Sequence, residues 1–88
     1  MKVKKAVWER DNGACVLCGC TRSAFPEAHY ISRAQGGLGI EENIVTLCRL
    51  CHDEYDNGVC RETIREYLRE YLKSKYPDWD EKELVYRK

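Results

Sequence analysis

Four cysteines in two pairs are the residues whose type and spacing point most directly to a metal site. Two residues separate the members of each pair, 29 residues lie between the pairs, and the members are Cys15, Cys18, Cys48 and Cys51. Each pair can present two thiolates to one tetrahedral ion at about 2.3 Å, an arrangement typical of zinc. A closed site of four sulfurs leaves no position for water, so we expect this zinc to be structural and to take no part in catalysis.

The cysteines also allow other interpretations. A disulfide framework is common in small secreted chains, but Ala6-Val7-Trp8 is the longest apolar run near the N-terminus, against about 7 to 15 residues in a signal peptide. An iron–sulfur centre could use the same thiolates but requires neither histidines nor a glycine-rich loop. We therefore favour zinc in a cytoplasmic protein, with Cys20 and Cys60 as free thiols, although Cys20 could substitute as a ligand.

A second group of chemically active residues lies between and just after the cysteine pairs. It consists of His29, the Gly36-Gly37 turn, Asn43 and, directly after Cys51, His52. This pattern resembles the HNH endonuclease family, in which a histidine on a first strand is followed by a glycine-rich loop, an asparagine before a second strand and a histidine that opens a helix. The resemblance spans about residues 7–58 and includes the four-cysteine zinc variant of that family.

The resemblance implies a fold, an activity and a role for each residue. The fold would be a small α+β zinc-stapled domain with a ββα-metal, treble-clef-like core around a catalytic divalent ion. His29 would be the general base that takes a proton from water, because a neutral imidazole has a pKa near ~6.5. Asn43 would orient His29 by tying the loop to its strand, and His52 would bind the ion.

One position departs from the family pattern. Many family members carry an Asp or His that binds the ion just before the general base, and this chain has Ala28 there. Asp56, four residues after His52 on the same helical face, is our first candidate for the replacement ligand. Glu27 is a weaker candidate, on the same side of the strand as His29. If neither reaches the ion, either the affinity for the metal would be low or the protein would be a degenerate, zinc-stabilised module that only binds nucleic acid.

The charge distribution and the family resemblance together suggest the substrate, the catalytic ion and the protein partners. The formal net charge is zero, with 15 basic and 15 acidic residues, but residues 1–40 hold six of the basic and only three of the acidic ones. We expect double-stranded DNA as the substrate, Mg²⁺ or Mn²⁺ as the catalytic ion with Ni²⁺ or Zn²⁺ as alternatives, and phage packaging or other DNA-processing proteins as partners. Arg33 is the candidate phosphate contact, and Lys4, Lys5 and Arg10 could contact phosphate in the same way.

The elements that must position these residues can be read from the apolar pattern. We expect a helix over Val3–Asp11 with Val3, Val7 and Trp8 on its buried side, a loop at Thr21–Pro26, and a two-stranded ribbon of Ala28–Ile31 with Ile44–Leu47. Helical turns at Cys51–Asn57 should end near Gly58. A longer helix follows, with an apolar stripe of Ile64, Tyr67, Leu68, Tyr71 and Leu72, and a last short helix carries Leu84.

These elements predict one domain over residues 1–88. Its nuclease core would span about residues 7–58, with a C-terminal helical extension over residues 61–88. No stretch reaches the ~18 apolar residues that would suggest a membrane span, so we expect no membrane partner.

Overall fold

The computed structural model describes residues 2–85, apart from the side chain of Lys2. Within that part of the chain, a two-stranded antiparallel sheet and the helix that follows it form the centre of an α+β fold. The helices are α1 (Lys2–Arg10), α2 (Arg49–Asn57) and α3 (Arg61–Lys75), the strands are β1 (Ala24–His29) and β2 (Ile44–Cys48), and 3-10 turns cover Arg33–Gln35, Glu41–Asn43 and Glu81–Leu84. The ββα order agrees with the predicted one, and the last three residues of the predicted extension lie outside the described residues.

Strand β1 begins earlier than the sequence suggests and contains an irregularity. It pairs with β2 from Ala24 opposite Cys48 to His29 opposite Ile44, and its register shifts between Phe25 and Ala28. Pro26 lies in this interval and has no N–H to donate, which is tolerated where ladder pairing is interrupted. The predicted loop at 21–26 and strand at 28–31 were therefore wrong at both ends of the strand. Strand β1 begins before Pro26, because proline at a bulge does not end a strand, and it ends at His29 rather than at Ile31.

The core lies between the sheet and helices α2 and α3. All five residues of β2 are buried, and Leu68 and Leu72 of α3 are fully buried against the same cluster. Tyr67 is 52% exposed, so its predicted place in the apolar stripe was wrong. Trp8 is also exposed rather than buried, and its ring lies beside the backbone turn at Gly13. None of the described helices is long and apolar enough to cross a bilayer.

A buried ion pair at the end of α1 attaches this helix to the rest of the fold. The Arg10 guanidinium donates to the carboxylate of Asp11 at 2.8 and 3.0 Å, and Asp11 also accepts from the backbone N–H of Thr46 at 2.8 Å. Tyr71 of α3 donates its hydroxyl to the same carboxylate. Burial alone would raise the pKa of Asp11, but these donors outweigh it and lower the pKa. Asp11 therefore remains ionised and joins three elements.

We expect Asp11→Asn to destabilise the protein by about 3 kcal/mol, because removing one partner of a buried ion pair leaves the other without compensation. The measurement is urea unfolding of the zinc-loaded protein at pH 7. Glu9→Gln, an exposed carboxylate on the same helix, is the matched control and should change the free energy of unfolding by no more than about 0.5 kcal/mol. Equal effects of the two substitutions would contradict this account.

Candidate functional site

The four paired cysteines converge on one point. Their sulfur atoms all lie within 4.8 Å of one another, and Cys18 Sγ is 3.6 Å from Cys48 Sγ. Sulfurs at about 2.3 Å from a tetrahedral centre are separated by roughly 3.8 Å, so the observed spacing suits one zinc ion. Among the described residues, no other group of three or more histidine, cysteine or carboxylate ligand atoms is this close together. Cys20 lies outside the group, and no described cysteine forms a disulfide.

Backbone geometry places each cysteine pair. The first pair lies in a tight turn where the N–H of Gly19 donates to the carbonyl of Cys15 at 2.8 Å, with Gly19 at a φ of +77°. In the second pair, Cys48 is the N-cap of α2, and its sulfur accepts from the backbone N–H of Cys51 at 3.5 Å. The end of β2 and the start of α2 therefore present the second pair to the first.

The local electrostatics favour a thiolate at Cys15 but disfavour four thiolates without a cation. Burial raises the pKa of the Cys15 thiol, but backbone N–H donors from Cys48, Cys18 and Leu17 outweigh it and bring the pKa to about 7. Burial and the neighbouring sulfurs raise the pKa of Cys51. Four thiolates this close repel one another, and a divalent cation removes that penalty.

A hollow of about 470 Å³ brings the two histidines together on the opposite face of β1 from the core. His29 from the end of β1 and His52 from the first turns of α2 both line it. The remaining lining residues come from α1, from β1, from the loop between the strands and from the first residue of β2, and are Val3, Lys4, Pro26, Glu27, Arg33, Gly39 and Ile44.

His29 is held as a neutral imidazole with one free nitrogen. Its Nδ1 lies 3.3 Å from the carbonyl oxygen of Glu27, which fits the tautomer whose Nδ1–H donates to that carbonyl. Nε2 is buried and has no hydrogen-bond partner among the described residues. Desolvation is the largest effect on the pKa of His29, and together with the charges of Arg33 and His52 it lowers that pKa. At neutral pH Nε2 is therefore unprotonated, and its lone pair has no partner among the described residues.

Asn43 fixes the loop that separates the strands. Its side chain is fully buried, and its Oδ1 accepts from the N–H of Ile31 at 2.9 Å. Its Nδ2 donates to the carbonyls of Ile31 at 3.1 Å and Leu38 at 2.8 Å. These bonds take the backbone of Ile31 out of the strand pairing, so β1 ends at His29.

The double glycine is required by the same loop. Gly36 has a φ of +85°, which is favourable for glycine. At Gly37, a Cβ would lie 1.8 Å from the carbonyl oxygen of Ile31, so a larger residue would push the loop away from the residue that Asn43 holds. The turn and the asparagine thus act on the same stretch of backbone, two residues from His29.

Comparison with known proteins agrees with this geometry. The sequence profile described as HNH endonuclease matches residues 15–58, which is half of the chain. The matched segment contains both cysteine pairs, the two histidines that line the hollow, and Asn43. The chain belongs to the HNH endonuclease family. A relative of this HNH protein is anaredoxin from Nostoc sp., which is 29% identical over 66 residues, covering 75% of this chain and 87% of that protein. No solved structure matches the chain significantly.

The position where many HNH proteins carry a metal ligand faces the core in this HNH protein. Ala28 is 1% exposed and packs in the central apolar cluster. Asp56, our first candidate for the replacement, lies with its Oδ2 3.3 Å from Nε2 of His52. Asp56 lines a different hollow, shared with His52, Arg49, Leu50 and Asp53, so the structure brings it to His52 but not to His29.

Two charged residues that the sequence analysis names as candidates, Glu27 and Arg33, lie next to the HNH histidines. Glu27 lines the same hollow as His29 and pairs through Oε1 with Nζ of Lys4 at 2.7 Å. Alternation along β1 does indicate that Glu27 faces the side of His29, but no sequence signal shows that α1 crosses this face. Arg33 also lines the hollow, which is compatible with its predicted contact to phosphate.

Proposed function

We propose that this HNH protein is a metal-dependent endonuclease that hydrolyses phosphodiester bonds in DNA, with His29 as the general base. The observation that carries the proposal is the free Nε2 of a neutral His29 in a hollow that it shares with His52. A general base needs a lone pair near the water that it activates and a pKa no higher than the working pH.

The reaction follows from these groups. His29 Nε2 takes a proton from water, the water oxygen bonds to phosphorus, and the bond from phosphorus to the 3′ oxygen breaks as that oxygen acquires a proton from solvent. The Nδ1 contact to the Glu27 carbonyl stabilises the imidazolium that forms. Asn43 keeps His29 in place through the backbone of Ile31.

His52 is the proposed protein ligand for a catalytic divalent ion. Such an ion supplies neutralisation of charge on the phosphate and on the leaving oxygen. The donor set fits, since an imidazole nitrogen binds Mn²⁺, Ni²⁺ or Zn²⁺ and the carboxylates near it suit Mg²⁺ or Mn²⁺. Among the described residues, the histidines and carboxylates do not form a group of three close ligand atoms, so water and phosphate oxygens would complete the coordination, as is usual for Mg²⁺.

The substrate class follows from the charges around the hollow. Lys4 and Arg33 line it together with the histidines, and cationic side chains contact phosphate without reading base sequence. We infer double-stranded DNA cleaved with little sequence preference, and partners in phage packaging or other DNA processing that supply specificity. Six free thiols suit a reducing compartment such as the cytoplasm.

The test is cleavage of supercoiled plasmid by protein that carries one zinc per chain and no other metal. We expect nicked or linear product only when Mg²⁺, Mn²⁺ or Ni²⁺ is added, because the structural zinc offers no open position. Chelation of the added ion before mixing should abolish the product. If none of these ions supports conversion of the plasmid, the nuclease proposal is wrong.

The second candidate function is a zinc-stabilised module that binds nucleic acid without cutting it. The observation in its favour is the buried alanine at position 28, where many HNH proteins bind the ion. This candidate predicts retardation of DNA in a gel at low salt, no cleavage with any ion, and no second metal bound by the zinc-loaded protein.

A further inference from the structure

The carboxylate of Glu27 lies in the hollow of the two histidines and is paired with a lysine of α1. We propose that Glu27 is the carboxylate ligand of the divalent ion in this site and that Lys4 competes with the ion for it. This inference rests on the proposed function, because it concerns the ion that the nuclease reaction requires. It places the carboxylate ligand at position 27, one residue before position 28, where many HNH proteins carry a metal ligand.

The irregular register of β1 is the first argument. Ala28 pairs with Val45 and faces the core, whereas Glu27 and His29 lie on the other face and line one hollow. The shift between Phe25 and Ala28 leaves the stretch that contains Pro26 and Glu27 outside the regular pairing. A carboxylate at position 28 would be buried in an apolar cluster at high cost, and one at position 27 needs no such burial.

The two carboxylates near His52 provide the second argument. Glu27 lies on the side of His52 that faces His29, and Asp56 lies in the neighbouring hollow. An ion held by His52 and Glu27 would share the hollow with the general base, whereas an ion held by His52 and Asp56 would not.

The Lys4–Glu27 pair provides the third argument. Its Nζ–Oε1 distance is 2.7 Å, and both side chains are about half exposed. A partly exposed pair contributes little to stability, so a divalent cation can replace the ammonium without unfolding α1. Lys4 would then remain beside the site, with its charge available to a DNA phosphate. Removal of Lys4 should thus tighten the binding of the metal ion and weaken the binding of DNA.

The experiment is a titration of zinc-loaded protein with Mn²⁺, in which electron paramagnetic resonance measures the free ion. Mn²⁺ prefers oxygen and nitrogen over thiolate, so the occupied cysteine site does not interfere. We expect Glu27→Gln to raise the Mn²⁺ dissociation constant at least roughly tenfold and Lys4→Met to lower it about two- to fivefold. The charge-matched controls are Glu9→Gln and Lys5→Met on exposed positions of α1, which should leave it unchanged.

Each result decides the inference. If Glu27→Gln binds Mn²⁺ as tightly as the wild type, or if Asp56→Asn weakens binding more than Glu27→Gln does, Glu27 is not the ligand. If Lys4→Met weakens Mn²⁺ binding, the competition is wrong. Either result leaves the proposed function standing so long as the wild type cleaves plasmid with added metal, whereas absence of metal-dependent cleavage by the wild type overturns the proposed function itself.

Discussion

Replacing His29 with alanine should reduce plasmid cleavage by about 10²- to 10⁴-fold, the range expected when a positioned general base is removed. In the wild type, Nδ1 is engaged with the Glu27 carbonyl and the lowered pKa leaves Nε2 unprotonated. The second imidazole that lines the hollow belongs to His52, which is the proposed ligand of the ion, so it does not replace His29 as the base. The measurement is the initial rate of nicking at saturating Mg²⁺ or Mn²⁺ and pH 7.5.

His52→Ala is the matched control, because it removes the other imidazole of the same hollow. Loss of a metal ligand should raise the metal concentration needed for half-maximal cleavage, so part of the activity should return at high metal. His29→Ala should not recover with metal, and added imidazole should restore part of its rate. If His29→Ala cleaves at the wild-type rate while keeping one zinc per chain and its wild-type melting temperature, His29 is not the base.

The sequence predicts the metal centre and the ββα order well because both depend on local spacing. Two residues between cysteines restrict the pair to one turn, and a strand followed by a helix places the second pair and His52 together. The role of Asn43 as a tie between the loop and its strand is also visible in the bonds to Ile31 and Leu38. Its effect on His29 in catalysis remains a prediction.

The features of the fold and site that the sequence does not predict depend on contacts between distant parts of the chain. Arg10 donates to the carbonyls of Glu41 and Ile44 at 2.7 and 2.6 Å, on either side of Asn43, and no periodicity reports such a bond. The contact of the partly buried Tyr71 with Asp11 and the exposure of Tyr67 on the same helix depend on where α1 packs. The pairing of Lys4 with Glu27 likewise joins residues 23 positions apart.

Loss of the structural zinc should unfold the protein. Structural zinc contributes an apparent 10 to 16 kcal/mol of binding free energy, and a small domain is stable by only about 5 to 15 kcal/mol in total. The described cysteine group lies between β2, α2 and the first turn, and Cys15 and Cys48 are themselves part of the core. Cys48→Ser should therefore lose helical circular dichroism and bind less than one zinc per chain.

Cys60→Ser is the matched control, since this thiol is exposed and outside the cluster, and it should keep the wild-type signal and zinc content. Denatured protein stripped of zinc without reductant should yield six free thiols, whereas a lower count would support the disulfide framework. A stripped wild-type protein that keeps its fold would contradict a structural role for the ion. The zinc and His29 predictions also separate the two sites, because zinc removal should abolish cleavage together with the fold, whereas His29→Ala should slow cleavage and leave the fold intact.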